Sequence, residues 1–205
     1  MRLFSYVVAR DYGFAPNPFG GACSLATCKP EIRQRASVGD WVVGLTSLED
    51  RRPRGLIYVM RIDEVLTYDK YWADSRFQQK KPSRSGSVKQ MFGDNIYHHD
   101  ADDTWLQADS HHSLKNGNPN ARNISNDTKS QGVLIGWRFA YWGSEAIDVP
   151  FDFQSIFINR GYKSAFSNEF VAEFAVWFEA LSVQGYQAAP FRWNRPRADW
   201  SRPAS

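Results

Sequence analysis

The hydrophobic and polar positions of this chain form a pattern that predicts a β-rich domain with one clear helix. Strand-like runs of β-branched and aromatic residues cover residues 3–9, 41–44, 55–66 and 132–142. The run over 55–66 is long, and its length favours a strand that bends around a barrel. Apolar residues recur at spacings of three and four between 168 and 183, which predicts a helix that Ser167 caps and Gly185 ends. A short helical turn is predicted to open at Pro30.

Two segments interrupt this pattern. Residues 11–21 contain three Gly and two Pro among several aromatic residues, which predicts a shaped loop. Residues 90–131 are polar and hold all four His, so we expect a long insertion that is functional or partly mobile. The order of strands, polar insertion, strand and helix predicts an α+β fold in one domain over 1–185, followed by a basic tail with Pro, Arg and Trp over 186–205.

The composition places the chain among soluble globular proteins. Of its 205 residues, 42% are hydrophobic and 23% are charged, which excludes disordered and fibrous classes. No apolar run is long enough to span a membrane and no signal-peptide pattern opens the chain, so we expect a cytoplasmic protein with no membrane partner. Cys23 and Cys28 are too few for a tetrahedral zinc site, and we expect reduced thiols.

The charge and aromatic content narrow the choice of ligand. The net charge of +3 is compatible with nucleic-acid binding but does not demonstrate it. Aromatic residues make up 15% of the chain and include eight Trp, so they either fill a β-rich core or line a pocket for a flat ligand.

A series of short motifs resembles one known family. The motifs are GFAPNPF at 13–19, LATCKP at 25–30, VGDWVVG at 38–44, YW at 71–72, RF at 76–77 and GDNIYH at 93–98. Together they resemble the second family of nucleotide modification associated domains, which occurs in bacteria and phages and is linked to modified DNA bases largely through genomic context. The resemblance covers most of 3–182 and implies association with nucleotide or nucleic-acid modification rather than a particular reaction. Asn95 lies in the last motif, and we include it among the candidate ligand contacts.

A weaker similarity concerns the fold. A Gly39-Asp40 turn before an apolar strand, and a later strand that ends in VLTYD at 65–69, are similar to the EVE and YTH branch of PUA-like barrels. In those domains an aromatic cage holds a modified base. The similarity implies a PUA-like, EVE-like β-barrel with flanking helices, a long polar insertion and a C-terminal helix. It is an analogy of fold and does not by itself assign a function.

The Pro-Gly loop supplies the first set of candidates. Phe14 and Phe19 offer faces on which a base could stack, while Asp11 and Asn17 could read its edge. The alternative is a rigid corner whose aromatic side chains close the end of a barrel. The candidate ligand contacts in and beside this loop are Phe14, Asn17, Phe19, Cys28 and Lys29.

Tryptophans at strand edges form the second set. Trp41 and Trp72 each lie at the edge of a predicted strand rather than in its middle, where an indole could face a ligand. Most of the other aromatic residues are expected in the core.

The histidine-rich segment and a basic run complete the candidates. His98 and His111, together with Asp11, are candidate acid–base groups, although a solvated polar loop explains the same composition. The spacing of the histidines is not that of a metal site, and we predict no metal. In the acid-free run over 76–89 the candidate phosphate contacts are Arg76, Lys80 and Lys81, with a solubilising loop as the alternative.

Three hypotheses of function follow. The first is a binding module for a modified base, nucleotide or nucleic acid that acts in a DNA or nucleotide modification system or in phage defence. The second is an enzyme that acts on a nucleotide or base through Asp and His, with Cys28 as a further candidate group. The third is an accessory protein with no small ligand. Phosphate-binding glycine loops and the serine elbow of hydrolases are absent from the sequence, so kinase-like, dinucleotide-dependent and common hydrolase functions lose their main support, while the cofactor stays open.

Overall fold

A six-stranded mixed sheet organises the fold, and the computed structural model describes residues 1–194. The strands are β1 (Leu3–Val7), β2 (Cys23–Leu25), β3 (Trp41–Leu45), β4 (Leu56–Arg61), β5 (Glu64–Thr67), β6 (Tyr97–His99), β7 (Trp105–Gln107), β8 (Gly132–Gly136), β9 (Phe139–Tyr141), β10 (Tyr162–Lys163) and β11 (Gly185–Tyr186). The helices are α1 (Pro30–Arg35), α2 (Tyr68–Ala73), α3 (Val88–Met91), α4 (Ala121–Asp127) and α5 (Asn168–Ala180). The result is a mixed α/β domain.

The strands are arranged in three sheets. The largest has the order β10-β1-β3-β4-β9-β11, a second has the order β2-β8-β5, and β6 pairs with β7. Strands β1 and β3 are parallel, as are β9 and β11, and the remaining pairs are antiparallel.

The predicted closed barrel does not form among residues 1–194, and the reason is a corner in the long strand over 55–66. The strand is interrupted at Asp63, whose carboxylate accepts hydrogen bonds from the backbone N–H groups of Trp137 (2.7 Å) and Arg138 (3.2 Å). This contact ties the corner between β4 and β5 to the corner between β8 and β9. The chain passes from the large sheet to the second one between β4 and β5 and returns to the large sheet between β8 and β9, and the large sheet ends in the two-residue edge strands β10 and β11.

Alternation along β1 separates two layers of the core. Phe4 and Tyr6 belong to the apolar cluster on one face of the large sheet, while Leu3 belongs to the cluster on the other face. Helix α5 covers this second face. Phe178 of α5 meets the indole of Trp41 edge to face, with ring centroids 5.4 Å apart. Trp41 is 3% exposed, so this predicted ligand contact lies in the hydrophobic core.

The predicted helices are present with small changes at their ends. Helix α5 starts after Ser167, whose hydroxyl accepts a hydrogen bond from the N–H of Phe170 (3.1 Å), as predicted. It ends at Ala180 rather than beside Gly185, because Ser182 takes a left-handed conformation (φ 52°). Helix α1 begins at Pro30, as predicted. None of the described helices is long and apolar enough to cross a lipid bilayer.

The polar segment over 90–131 is folded rather than extended as a loose insertion. It contains the end of α3, the β6–β7 hairpin and α4. Side chains hold the pieces together: Gln107 accepts a hydrogen bond from the N–H of Asn120 (2.7 Å), and Asn123 donates to the carbonyl of His112 (2.7 Å). This packing fixes the position of the histidines at 111 and 112.

The start of the predicted tail packs on the domain. Tyr186 lies in β11 beside β9, and the N–H of Arg192 donates to the carbonyl of Asp11 (3.0 Å). The Arg192 guanidinium also pairs with the buried carboxylate of Asp50 at 2.5 Å. Residues 186–194 therefore pack against the preceding residues, the boundary at 185 stays a prediction, and the rest of the predicted tail, 195–205, lies outside the described residues.

Candidate active site

A cavity of about 410 Å³ opens beside the end of β1. Its walls come from residues 6–10, from the aromatic loop at 12–15, from the turn at 28–31, and from His111, His112 and Asn126. The folded polar segment and the Pro-Gly loop thus meet at one cavity, although they are far apart in the sequence.

The turn between β2 and α1 presents a cysteine to this cavity. Cys28 and Lys29 both have left-handed backbone conformations (φ 58° and 43°), which residues other than glycine seldom adopt. The backbone is held on both sides of the sulfur: the N–H of Cys28 donates to a carboxylate oxygen of Asp127 (2.8 Å), and its carbonyl accepts from Nε of Arg33 (2.9 Å). A strained strand–turn–helix connection is a geometry that exposes a nucleophile at its tip.

A histidine and an aspartate complete a chain of contacts from this sulfur. Nε2 of His112 lies 3.7 Å from Sγ of Cys28, and Nδ1 of His112 lies 2.7 Å from Oδ2 of Asp127. The order thiol, imidazole, carboxylate is that of a nucleophile, its base and the group that orients the base. The Asp127 side chain is 1% exposed and that of His112 is 13% exposed.

The surrounding side chains fix the carboxylate and the turn. Oδ2 of Asp127 also accepts a hydrogen bond from the hydroxyl of Tyr97 (2.9 Å), which in turn accepts from Nε2 of Gln107 (3.1 Å). The guanidinium of Arg33 is 2% exposed and donates to the backbone carbonyls of Cys28 and Asp127. Arg33 therefore couples the end of α4 to the cysteine turn.

The electrostatics favour an ion pair between His112 and Asp127. Burial alone would lower the pKa of His112, but the charge of Cys28 and the hydrogen bonds to Asp127 and Cys28 outweigh it and raise this pKa to about 10. Burial likewise tends to raise the pKa of Asp127, but the hydrogen bond and positive charge of His112 hold it below its usual range. Burial raises the pKa of the other thiol, that of Cys23, to about 12, so Cys23 stays protonated and unreactive at neutral pH.

The same three residues also have the spacing of a metal-ligand group. The ligand atoms of Cys28, His112 and Asp127 lie within 4.8 Å of one another. However, both carboxylate oxygens of Asp127 already accept hydrogen bonds, and Nδ1 of His112 is occupied by that carboxylate. The contacts therefore fit a hydrogen-bonded triad better than a metal centre, and the absence of a metal stays a prediction.

Four of the residues singled out in the sequence line this cavity: Phe14, Cys28, Lys29 and His111. The ring centroid of Phe14 lies 4.7 Å from that of His112 and 5.3 Å from that of His111. Phe14 therefore forms an aromatic wall beside both imidazoles. Nζ of Lys29 lies 4.9 Å from the centre of the Tyr6 ring.

Three other candidates form a buried polar network away from the cavity. Lys80 is 2% exposed, and its amine donates to the backbone carbonyl (3.0 Å) and side-chain oxygen (2.8 Å) of Asn17 and to the hydroxyl of Ser24 (2.9 Å). Asn95 is fully buried, and its amide donates to the carbonyl of Tyr71 (2.9 Å). These side chains donate or accept hydrogen bonds that hold the loop, and the predicted phosphate contact of Lys80 and ligand contacts of Asn17 and Asn95 stay predictions.

Asp11 and Phe19 contact the C-terminal segment instead of the cavity. The carboxylate of Asp11 accepts hydrogen bonds from the hydroxyl of Tyr141 and from the N–H of Phe191 (3.0 Å). The ring of Phe19 stacks on Trp193 with centroids 5.5 Å apart. These contacts anchor the loop whose next residues line the cavity.

The remaining candidates lie outside this cavity, and three of them contact one another. The ring of His98 stacks on the indole of Trp72 at 3.9 Å, and Nζ of Lys81 lies 3.7 Å from the centre of that indole. Arg76 pairs with Glu64 and Asp74, both at 2.7 Å. These residues do not line the cavity of Cys28.

Two central residues of the site were not among the sequence candidates. His112 belongs to the histidine-rich segment, from which only His98 and His111 were named as acid–base candidates, and Asp127 lies in a polar stretch that gave no signal of its own. The available signal was a cysteine together with a His and an Asp elsewhere in the chain, which is a recognised pattern for a cysteine nucleophile.

Fold and site together define a mixed α/β domain with a candidate Cys–His–Asp active site at a cavity. The family model described as nucleotide modification associated domain 2 matches residues 1–197, and the chain belongs to this family. The family predicted from the sequence motifs is therefore confirmed, and with it an association with nucleotide modification. No curated protein and no solved structure matches the chain. The similarity to EVE and YTH domains stays a prediction.

Proposed function

We propose that this chain is a cysteine-dependent enzyme that acts on a nucleotide or nucleobase derivative within a nucleotide modification system. The observation that carries the proposal is the contact chain from Cys28 through His112 to the buried Asp127 at the wall of a cavity. Family membership, which shows an association with nucleotide modification, supports a substrate of this general kind. The proposal develops the second of the sequence hypotheses, with His112 and Asp127 in place of His98, His111 and Asp11.

The chemistry best suited to this triad is acyl transfer. The thiolate of Cys28 attacks the carbonyl carbon of an amide or ester on the substrate, and the carbon–nitrogen or carbon–oxygen bond breaks. The leaving amine or alcohol takes the proton that His112 holds at Nε2. Water then gives a proton to the neutral imidazole and attacks the thioester, which releases the acid and restores the thiolate and the imidazolium.

Each residue of the site has a separate role in these steps. Asp127 holds Nδ1 of His112, so Nε2 faces the sulfur and the leaving group. The aromatic wall formed by Tyr12 and Phe14 is suited to a base, whose stacking on such rings contributes roughly 1–3 kcal/mol. A cavity of about 410 Å³ is in the size range of small-molecule sites.

The test is capture of the covalent intermediate. The protein is incubated with a panel of nucleosides and nucleotides that carry amide or ester groups, quenched with acid and mapped by peptide mass spectrometry. We expect an adduct on the Cys28 peptide that hydroxylamine removes, and loss of turnover in Cys28→Ala and His112→Gln. Cys23→Ala and His99→Gln are the matched controls, because neither side chain lines the cavity. Turnover that survives Cys28→Ala would contradict the proposal.

The binding-module hypothesis makes a different prediction for the same variants. The aromatic wall of the cavity serves a reader of modified bases equally well, and such a reader needs no thiol. A nucleotide that binds Cys28→Ala as tightly as the parent chain, while no member of the panel is turned over, would favour the binding module and oppose the enzyme.

A further inference from the structure

Lys29 is a cation placed in the wall of the cavity directly after the candidate nucleophile. Its side chain lines the cavity with Cys28, and its amine lies over the Tyr6 ring at 4.9 Å. Among the described residues, no carboxylate forms an ion pair with this amine. Such an amine has lost part of its hydration and has no carboxylate paired with it, so a bound anion would stabilise its charged form.

The charges around the cavity are mostly positive. Arg10 and Lys29 line it together with His112, whereas Glu31 is the carboxylate among the lining residues and is exposed to solvent. Asp127 is not part of the lining and is already paired with His112. The charge of His112 is opposed by Asp127 and by the Cys28 thiolate, so the attraction that an anionic group would meet comes from Arg10 and Lys29.

Burial also destabilises the charged form of Lys29, and a bound anion would offset this effect. Burial lowers the pKa of this amine, and the charges of Cys28 and Glu31 only partly oppose that effect. A bound carboxylate or phosphate would restore favourable interactions for the charged form.

We propose that Lys29 forms an anion subsite beside Cys28, so that the substrate carries a carboxylate or phosphate close to its reacting carbon. This inference rests on the proposed function, because it concerns the same cavity and the same nucleophile. The anionic group would be held by the ammonium, while the carbonyl carbon is presented to the sulfur. Lys29 is then a specificity-determining residue and takes no part in bond making.

Two alkylating reagents of different charge test the subsite. Iodoacetate and iodoacetamide both transfer a two-carbon group to the sulfur and release iodide, but only iodoacetate carries a carboxylate. The rate constants of both reagents at Cys28 are measured by peptide mapping in the whole chain, in Lys29→Met and in Lys29→Arg. Lys70→Met is the matched control, since this exposed lysine lies on α2 and not at the cavity.

The expected result is a change in the ratio of the two rates. Loss of one nearby positive charge should reduce the preference for iodoacetate by about fivefold to tenfold in Lys29→Met. Lys29→Arg should retain most of the preference, and Lys70→Met should leave it unchanged. Methionine is unbranched like lysine and adds no new strain to the left-handed backbone at this position.

A second arm identifies the kind of anion. Inorganic phosphate and acetate are each tested as protectants against iodoacetamide, and protection by one that is lost in Lys29→Met assigns the subsite to that group. If Cys28 reacts rapidly with both reagents and the ratio is unchanged in Lys29→Met, the subsite is wrong while the nucleophile stands. If native Cys28 reacts no faster than in the chain unfolded by urea, the nucleophile and the subsite are both overturned.

Discussion

Replacement of Asp127 by asparagine removes the charge at the centre of the site while preserving the size of the side chain. Three donors converge on this carboxylate: Nδ1 of His112 at 2.7 Å, the N–H of Cys28 at 2.8 Å and the hydroxyl of Tyr97 at 2.9 Å. An asparagine has one acceptor oxygen, and its NH₂ group must face at least one of these donors. The substitution therefore breaks the buried pair with His112 and leaves a buried donor without an acceptor.

The magnitude follows from the type of contact that is lost. Breaking a buried ion pair by removal of one partner costs about 3–5 kcal/mol, so the free energy of unfolding should fall by ~3 kcal/mol in Asp127→Asn. A hydrogen bond to a charged group contributes about 1.5–3 kcal/mol, so the rate of alkylation at Cys28 should fall by about 10- to 150-fold.

Urea unfolding followed by circular dichroism and peptide-mapped alkylation by iodoacetamide measure the two effects. Asp102→Asn is the control, because Asp102 is exposed in the turn of the β6–β7 hairpin. Tyr97→Phe removes one donor but keeps the charge, and it should destabilise by about 1 kcal/mol with a small change in rate. If Asp127→Asn unfolds at the parent urea concentration and reacts at the parent rate, the argument for the triad is refuted.

Three further predictions concern other parts of the structure. Trp41→Ala should destabilise the fold by about 3–5 kcal/mol, because the indole is buried against Phe178. Nucleotide binding, measured at a temperature where the variant is folded, should be unchanged. Selective loss of binding would instead support Trp41 as a ligand contact. Arg33→Met should lower the melting temperature and slow alkylation of Cys28, because the guanidinium bridges the turn and α4, and normal values for both would oppose that role. The pKa of His112 is raised from 6.5 to about 10, so the stabilisation by protonated His112 is complete below pH 6.5 and is lost as the pH rises to about 10. The urea midpoint should fall over this window more in the parent than in His112→Gln. Parallel plots of midpoint against pH for the two proteins would contradict the ion pair.

Local patterns in the sequence predict much of the fold. The apolar spacing and the Ser167 cap identify α5, and Pro30 identifies the start of α1, because both signals act within one or two turns. The division of the long strand at Asp63 could not be foreseen, because it depends on hydrogen bonds to Trp137 and Arg138, more than 70 residues away.

The candidate site shows the same division between local and long-range information. Phe14, Cys28 and Lys29 lie in motifs of unusual composition and were identified as candidates, and they do line the cavity. Asp127 lies 99 residues from Cys28 in the chain, and only the folded polar segment brings them together. Lys80 shows the same dependence on long-range contacts, because a basic run gives no sign that this amine donates to buried oxygen atoms; its phosphate contact stays a prediction.

The central claim is that His112 activates Cys28, and the most direct measurement is the second-order rate constant of iodoacetamide at Cys28 at neutral pH. It is measured in the folded chain, in the chain unfolded by urea and in folded His112→Gln. We predict that the folded parent reacts at least about tenfold faster than the unfolded chain, and that His112→Gln loses this advantage. Equal rates in all three would contradict the account.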